Sequence, residues 1–228
     1  MNVAVAKTGT ERRLSDVFAL ARGRLPGDGR VAEVRQAAIE AYERLGLPHR
    51  RVEEWKYTDL RALMREVLPL APMPDAATLA RARVALASVA MAGAQKLVLV
   101  DGAVVPELSD LGDSENGVSV RTLREILDDA DNAARADLLL SEASDAMISL
   151  NAAMATDGVV IRVADGAQLK APIQILHIAV TSQAAAFTRS HVRIGNAARA
   201  TLVESFVAAG AARGYQAHDA VIVSVGDE

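Results

Sequence analysis

The spacing of hydrophobic residues along the chain changes near residue 95. Before that point apolar residues recur at intervals of three and four, as they do along one face of a helix. This pattern predicts helices over residues 15–22, 31–45 and 75–90. We therefore expect a helical N-terminal domain over residues 1–94.

Individual residues predict where these elements end. Gly46, followed by a Leu-Pro pair, is a good stop for the second helix, because Gly accepts a left-handed backbone and Pro cannot continue a helix. Thr58 is a candidate cap for a short helix that ends at Leu63. The three prolines of residues 68–74 predict a linker or a wall segment.

Residues 95–156 are predicted to form a hairpin and connecting helices. The segment KLVLVDGAVVPEL predicts a hairpin that turns at Asp101 and Gly102. In VSVRTLREIL a strand passes into a helix that Thr122 caps, and Glu125 completes a capping-box pattern. Residues 133–154 have the spacing of a further helix.

The last part of the chain, residues 157–228, alternates almost throughout and contains a repeat. The segments IRVADGAQL, VRIGNAARA and IVSVGDE share β-branched residues, then a small residue, then Asp or Asn. These last positions are Asp165, Asn196 and Asp227, which are spaced by 31 residues both times. We predict that they form turns at equivalent points of successive repeats.

Two strand-like segments in each 31-residue unit favour a β-solenoid, in which each coil stacks on the preceding one. A Greek-key sandwich with regular turns is the alternative. The third unit stops at Glu228, where its turn begins. Because a solenoid needs its last coil covered, we expect either that residues 157–228 are the start of a truncated core or that a partner covers the edge.

Composition removes several classes of function. The net charge of −4 and the scattered basic residues argue against a nucleic-acid-binding protein. The sequence has no Cys, which excludes disulfides, a nucleophilic thiol, and zinc or iron–sulfur ligation by cysteine within this chain. No apolar run suits a signal peptide or a membrane span, so we expect a soluble cytoplasmic protein without a membrane partner.

Few residues suggest catalysis. His177 and His191 lie on predicted strands and could approach one another across a coil, which would give a metal two nitrogen ligands. The interpretation that we favour is that both are ordinary strand residues with hydrogen-bonded or solvated rings. Glu204 is expected to be solvated rather than a ligand, and Glu142 with Asp145 to form a wetted helix face. The sequence has no phosphate-binding loop or nucleophile turn, so we predict that it is not an enzyme by itself.

One polar stretch gathers two of the few aromatic residues. EEWKYTDL contains Trp55 and Tyr57 among charged side chains. Both rings are predicted to anchor the segment that joins the helical domain to the rest, with the charges facing outward. A partner-docking role for the exposed side, Lys56 especially, is the alternative.

The same stretch resembles the N-terminal signature of SufD, in the SufB/SufD family of iron–sulfur cluster assembly proteins. We expect its motif residues to be structural, and they are Glu54, Trp55, Lys56, Tyr57 and Thr58. Other segments resemble the family in the same order along the chain: GLPHRRVE, KLVLVDGAVVPELSDL, SLNAAMATDGVVIRVADGAQLKAPIQILHI and ATLVESFVAAG. The paralogous SufB does not typically carry the Trp-Lys-Tyr-Thr run, so the resemblance favours SufD.

The resemblance implies an α+β, mainly β fold in which a helical N-terminal domain precedes the first coils of a right-handed parallel β-helix. It implies a non-enzymatic scaffold subunit with SufB-like and SufC-like partners, and a homodimer as a further option. ATP hydrolysis by the SufC-like partner would drive cluster assembly. An iron–sulfur cluster, with flavin as an open alternative, would belong to the assembled complex and not to this chain alone.

The residues that the family uses for cluster chemistry lie later in its core. No residue of this chain, including His177, His191 and His218, is therefore assigned a catalytic, cofactor-binding or metal role by the resemblance. Two other interpretations stay open at this point. One is a metal-dependent β-fold enzyme that uses the strand histidines, and the other is a truncated fragment without a working partner surface.

Overall fold

Helices make up the first part of the chain, and strands dominate from residue 95 onward. A computed structural model describes residues 8–110, 112–113, 117–140 and 145–227. Its α-helices are α1 Gly9–Ala21, α2 Arg30–Leu45, α3 Leu60–Leu63, α4 Ala76–Val89, α5 Leu123–Asp128 and α6 Ala146–Met154. Short 3₁₀ helices lie at Arg22–Arg24, Glu53–Trp55, Pro106–Leu108 and Arg135–Leu139. The strands are β1 Gln95–Val100, β2 Ala103–Val104, β3 Gly112–Asp113, β4 Val118–Thr122, β5 Val159–Val163, β6 Ile173–Ala179, β7 Ala185–Ile194, β8 Leu202–Ala208 and β9 Gln216–Val225.

Side-chain caps start several helices where the sequence predicts them. Thr122 caps α5 in a capping box with Glu125, and Asp75 caps α4. Gly46 ends α2, as predicted, with a φ of 72° that Gly adopts readily, although its ψ of 179° differs from the left-handed helical conformation expected there. The first helix begins earlier than predicted, because Thr8 caps α1 in a second capping box.

The cap of α3 differs from the prediction. Asp59, and not Thr58, starts this short helix, because the Asp59 carboxylate accepts a hydrogen bond from the Ala62 amide at 3.2 Å. A carboxylate is a somewhat better cap than a hydroxyl, and its negative charge also favours the helix N-terminus.

The helix predicted over residues 133–154 is not continuous. A 3₁₀ helix ends at Leu139, and Leu140 is extended with a ψ of 149°. Asp145 then caps α6, which runs only from Ala146 to Met154. The apolar spacing is common to both pieces, so periodicity alone could not show the break.

Buried Glu11 joins α1 to the loop after α2. Its carboxylate accepts from the Leu47 amide at 2.7 Å and forms an ion pair with Arg61 at 3.1 Å. Burial raises the pKa of Glu11, but hydrogen bonds from Thr8 and Leu47 and the charge of Arg61 outweigh that effect and lower the pKa. The ionised carboxylate therefore stabilises the helical region.

The helical region packs on the strands through α6, which lies against α2. Buried Arg35 of α2 donates to the carbonyl oxygen of Ala153 in the last turn of α6 at 2.9 Å, where a cation stabilises unpaired carbonyls. Burial lowers the pKa of Arg35 to about 9. Apolar side chains of α1, α2, α6 and β7 complete this core, including Leu14, Phe18, Ile39, Tyr42, Leu150, Met154 and Phe187.

The proline-rich residues 68–74 form a wall segment, which means that they lie along the side of the strands at the start of β7. Leu70 bridges to Ala185 in parallel orientation. The Ala185 amide donates to the Pro69 carbonyl at 2.8 Å, and the Ala71 amide donates to the Ala185 carbonyl at 2.9 Å. The segment therefore extends the start of β7 and does not act as a free linker.

The chain enters two sheets alternately. One sheet has the order β2-β1-β6-β8 and the other the order β3-β4-β5-β7-β9. From β5 to β9 each successive strand joins the opposite sheet. The pairs β5–β7, β6–β8 and β7–β9 are all parallel, unlike the antiparallel neighbours of a Greek-key sandwich. The predicted hairpin of β1 and β2 is confirmed, with Asp101 and Gly102 both at positive φ. The fold is a mixed α/β fold in which helices precede sheets that contain parallel strands.

The 31-residue interval of the sequence is also the interval of strand pairing. Val163 pairs with Ile194, and Ile194 pairs with Val225. In the other sheet Ile173 pairs with Leu202, 29 residues further on. The connection into β8 is therefore two residues shorter than the connection into β6.

Side chains at the turns form a ladder across these repeats. The amide of Asn196 donates to Asp165 Oδ1 at 2.8 Å, and the amide of Asp227 donates to Asn196 Oδ1 at 3.0 Å. We call these three residues the turn ladder. A Cβ on Gly195 would lie 2.4 Å from Asp165 Oδ1, and one on Gly226 would lie 2.4 Å from Asn196 Oδ1. Each ladder side chain therefore requires Gly in the next repeat, which explains the small residue before Asn196 and Asp227.

Apolar side chains fill the space between the two sheets. Because side chains alternate along a strand, residues two apart share this inward face. The inward core includes Leu97, Leu99, Val159, Ile161, Val163, Ile173, Ile175 and Val192. Polar side chains on the same face are therefore exceptions that require partners.

Candidate metal centre

Three ionisable side chains lie between the sheets, near the outermost strands β8 and β9. His177 of β6 lies two residues beyond the core residue Ile175, on the same inward face. Glu204 of β8 pairs in register with Ile175, and Asp219 of β9 lies two residues before Val221, which packs against the same core. We call His177, Glu204 and Asp219 the acid–histidine cluster.

The three side chains bring their ligand atoms together. His177 Nε2 lies 3.1 Å from Glu204 Oε1 and 3.9 Å from Asp219 Oδ1. The three ligand atoms are an imidazole nitrogen of His177 and one carboxylate oxygen each from Glu204 and Asp219, and all lie within 4.8 Å of one another. Three different strands supply these atoms, so the arrangement exists only in the folded chain.

Neighbouring side chains orient the cluster. The hydroxyl of buried Thr188 donates a hydrogen bond to Asp219 Oδ1. The ring of Phe206 stacks on the imidazole of His177, with ring centroids 4.4 Å apart and an angle of 8° between the planes. These contacts hold one carboxylate and the imidazole plane in place.

The two carboxylates differ in their electrostatics. Burial raises the pKa of Asp219 to about 6, and the negative charge of Glu204 adds to this effect. The hydrogen bond with His177 lowers the pKa of Glu204, in opposition to burial. The two carboxylates therefore both face the imidazole of His177, and Asp219, the more buried of the two, holds a proton more strongly than Glu204 does.

The cluster is accessible from one side. The exposed fraction of the side chain is 9% for His177, 11% for Asp219 and 30% for Glu204. A small cleft beside it has about 30 Å³ of space for water, and His177, Thr188 and Phe206 are among its lining residues. Water and ions can therefore reach the exposed side of Glu204 without unfolding of the sheets.

The donor set allows two kinds of chemistry. An imidazole nitrogen with two carboxylate oxygens suits a divalent transition-metal ion. The same three groups can also share a proton, since two adjacent carboxylates do not ionise independently.

The structure separates the two histidines that the sequence suggested as metal ligands. His191 lies on β7, in the opposite sheet from His177, and its Nε2 lies 2.8 Å from the Leu138 carbonyl oxygen. Burial lowers the pKa of His191. The hypothesis of a metal site built from His177 and His191 is therefore wrong, and His191 is a hydrogen-bonded strand residue.

Of the remaining polar strand residues, His218 packs against an aromatic ring, whereas Glu204 and Asp219 belong to the acid–histidine cluster. His218 stacks on Phe187 at a centroid distance of 4.3 Å, and burial lowers its pKa to about 4. Glu204 bonds to His177, so the expectation that it is merely solvated is wrong. Asp219 is not among the residues that the sequence analysis singles out. The signal that could have found it is its position 31 residues after Thr188, on the inward face of an otherwise apolar strand.

Trp55 of the aromatic motif is partly buried and reaches a distant helix. Its indole Nε1 donates to Asp145 Oδ2 at 2.8 Å. The other oxygen of Asp145 caps α6 by accepting from the Met147 and Ile148 amides. Asp145 is therefore not part of a wetted face, and Glu142 lies outside the described residues.

Tyr57 does not anchor the segment as expected, because it is 90% exposed. Lys56 Nζ lies 5.4 Å from the centroid of that ring and 2.8 Å from Glu53 Oε1. Glu54 is exposed and Thr58 is half-buried. The charged side of the motif thus faces outward, as predicted, and carries an exposed aromatic ring.

Comparison with known proteins shows that the sequence is similar to that of a protein family. Residues 24–175 match the family model described as the SufBD protein N-terminal region. The chain is 26% identical over 182 residues to a Synechocystis sp. protein described as an iron–sulfur cluster assembly SufBD family protein. That match covers 78% of this chain and 40% of the relative, so the chain spans less than half of the relative's length. In the described part of the chain, no helix combines the length and the apolar character needed to cross a membrane.

Proposed function

The chain belongs to the SufBD family, and from this premise we propose that it is a SufD-type scaffold subunit in iron–sulfur cluster assembly. The observation that carries the proposal is the family match over residues 24–175. The Synechocystis sp. relative, whose description names iron–sulfur cluster assembly, supports it. The Trp-Lys-Tyr-Thr run at residues 55–58 favours the SufD type over the SufB type.

We also propose that residues 157–227 are the first coils of a right-handed parallel β-helix. Strands that enter two sheets alternately and pair in parallel support this architecture. The turn ladder supports it as well, because equivalent turns stack at a fixed interval of 31 residues. A stacked core of this kind gives a rigid frame on which partner subunits can assemble.

The proposed role is non-enzymatic, with SufB-like and SufC-like proteins as partners. ATP hydrolysis by the SufC-like partner would drive the assembly step, and the iron–sulfur cluster would be bound by the complex. The outer strands support contacts with further protein, since Phe206, Val223 and Val225 are 53%, 54% and 70% exposed. Such exposed apolar side chains on the outermost strand of each sheet favour contact with a further polypeptide.

The proposal is tested by purifying the full-length protein after co-expression with the SufB-like and SufC-like proteins of the same cell. We expect a complex of defined stoichiometry with both proteins, and an increase in its bound iron and sulfide when the SufC-like ATPase is active. Absence of a complex with either protein would overturn the scaffold proposal.

Two variants test whether the aromatic motif takes part in docking. Tyr57→Ala removes the exposed ring, and Leu20→Ala, at an 84% exposed site on α1, is the matched control. Loss of the complex in Tyr57→Ala alone would assign docking to the motif. Equal recovery of both variants would leave the motif with its structural contact to Asp145.

A further inference from the structure

We propose that His177, Glu204 and Asp219 bind one divalent ion of a first-row transition metal. The inference goes beyond the scaffold role and does not depend on it. It rests on the geometry of three side chains from three strands, on the charge they gather, and on their access to solvent.

The spacing of the ligand atoms fits a single ion. Two atoms that each lie about 2.1 Å from one metal ion are themselves about 3–4 Å apart, whether the site is tetrahedral or octahedral. The distances from His177 Nε2, 3.1 Å to Glu204 and 3.9 Å to Asp219, fall within that range. Small rotations of the side chains are enough to direct all three atoms at one point.

The charge of the cluster also favours a cation. Two carboxylates lie on the inward face of an otherwise apolar core, and a single imidazole faces them. The described residues place no Lys or Arg side chain in an ion pair with Glu204 or Asp219. A divalent ion would neutralise the charge of both carboxylates.

Neighbouring side chains hold two of the three ligands in a fixed orientation. Thr188 is 3% exposed, and its hydroxyl orients Asp219, while Phe206 fixes the plane of the His177 ring. Such contacts behind the ligands are typical of protein metal sites and set ligand orientation. Several polar contacts across neighbouring repeats span 31 residues, such as the one between Gln174 and Ser205, whereas the contact between His177 and Glu204 spans 27.

The donor set indicates the class of ion. An imidazole ligand favours zinc, copper, iron or nickel over magnesium and calcium, which prefer oxygen ligands alone. Three protein ligands leave at least one coordination position for water or another ligand. The cleft beside Phe206 and Thr188 supplies the space for it.

The test is a calorimetric titration of the chelator-treated protein with Zn²⁺, and a parallel titration with Co²⁺ followed by visible absorption. We expect one ion per chain, a Co²⁺ spectrum with a nitrogen–oxygen ligand set, and no competition from millimolar Mg²⁺. Each of His177→Gln, Glu204→Gln and Asp219→Asn should weaken binding at least tenfold, and Thr188→Val by roughly 10- to 100-fold as a loss of ligand orientation.

His49→Gln is the matched control, because His49 lies in the helical region away from the cluster and should bind as the unaltered protein does. Glu204→Gln is the decisive variant, since Glu204 is the most exposed of the three and its replacement by an uncharged residue of similar shape should leave the fold intact. Circular dichroism of each variant confirms folding.

Absence of saturable one-to-one binding would overturn the proposal, and so would equal affinity in Glu204→Gln and in His49→Gln. The result is independent of partner proteins. Failure to bind metal would leave complex formation with the SufB-like and SufC-like proteins unaffected, and failure of that complex would leave the titration unaffected.

Discussion

The helical region and the strand region of this protein are held together in different ways. In the strand region, several side-chain hydrogen bonds share one separation of 31 residues, including those of the turn ladder. In the helical region the long-range polar contacts each span a different separation, such as 36 residues from Glu11 to Leu47 and 90 from Trp55 to Asp145. One region is therefore stabilised by repetition and the other by a few individual contacts.

This difference predicts how each region responds to mutation. A change in a repeated element affects packing between neighbouring repeats, and equivalent positions in other repeats should give similar effects. A change in an individual contact of the helical region has no equivalent that could compensate. The predictions below test that distinction, from the largest expected effect to the smallest.

Gly158→Ala should have the largest effect, about 3 kcal/mol of lost stability, because a Cβ there would lie 1.9 Å from the carbonyl oxygen of Arg189 in the adjacent strand β7. The measurement is the free energy of unfolding in urea. Gly23→Ala is the control, since a Cβ at Gly23 has no neighbouring atom within 4 Å. Equal stability of the two variants would show that the backbones at Gly158 and Arg189 do not lie as close together as described.

Glu11→Gln should cost about 2 kcal/mol, because it removes the ion pair with Arg61 and weakens charged hydrogen bonds. The pKa of Glu11 is lowered in the fold, so its stabilisation is complete above the unfolded pKa near 4.5 and is lost as pH falls through the folded value. Unfolding curves between pH 7 and pH 3 should therefore have a shallower acid slope in this variant.

The control for that experiment is Glu33→Gln, whose side chain is 68% exposed and should leave both stability and acid slope unchanged. An unchanged acid slope in Glu11→Gln would contradict the role given to this carboxylate. It would also show that the contacts of Glu11 are not a main source of stability in the helical region.

Trp55→Phe should cost about 1 kcal/mol, since it keeps an aromatic ring but removes the hydrogen bond to Asp145. Tyr57→Phe should have no effect, because the side chain is 90% exposed. Thermal unfolding of the two variants makes the comparison directly. A larger effect from Tyr57 than from Trp55 would show that the motif is anchored by the other ring.

Asn196→Ala should have the smallest effect, about 0.5–1 kcal/mol, because its ladder hydrogen bond to the Asp227 amide is exposed to solvent. Asp165→Ala should have a similar effect, since it occupies the equivalent position one repeat earlier. Chemical denaturation of both variants tests this equivalence. Clearly different losses would contradict the idea that the ladder positions are interchangeable.

The comparison also explains what the sequence could predict. The repeat of Asp165, Asn196 and Asp227 is visible in the sequence because stacked strands impose a constant interval, and the small residue before Asn196 and Asp227 follows from the side chain beneath it. Helix ends were predictable where a local signal exists, as at Gly46. These features depend on neighbours along the chain or on a period.

Features that depend on single long-range contacts were not predictable. The sequence gives no sign that Trp55 meets Asp145, or that the apolar spacing of residues 133–154 is interrupted at Leu140. The acid–histidine cluster belongs to this class although it lies in the strand region. His177 and Glu204 are separated by 27 residues, so a search at the 31-residue interval does not pair them.

The central claim is that the turn ladder is structural, whereas the acid–histidine cluster binds a cation. The most direct measurement is a calorimetric Zn²⁺ titration of Asn196→Ala and Glu204→Gln, together with the unfolding free energy of each variant without metal. We predict that Asn196→Ala loses stability and binds zinc as the unaltered protein does, while Glu204→Gln folds normally and binds at least about tenfold more weakly. Normal binding by Glu204→Gln, or weakened binding by Asn196→Ala alone, would contradict the account.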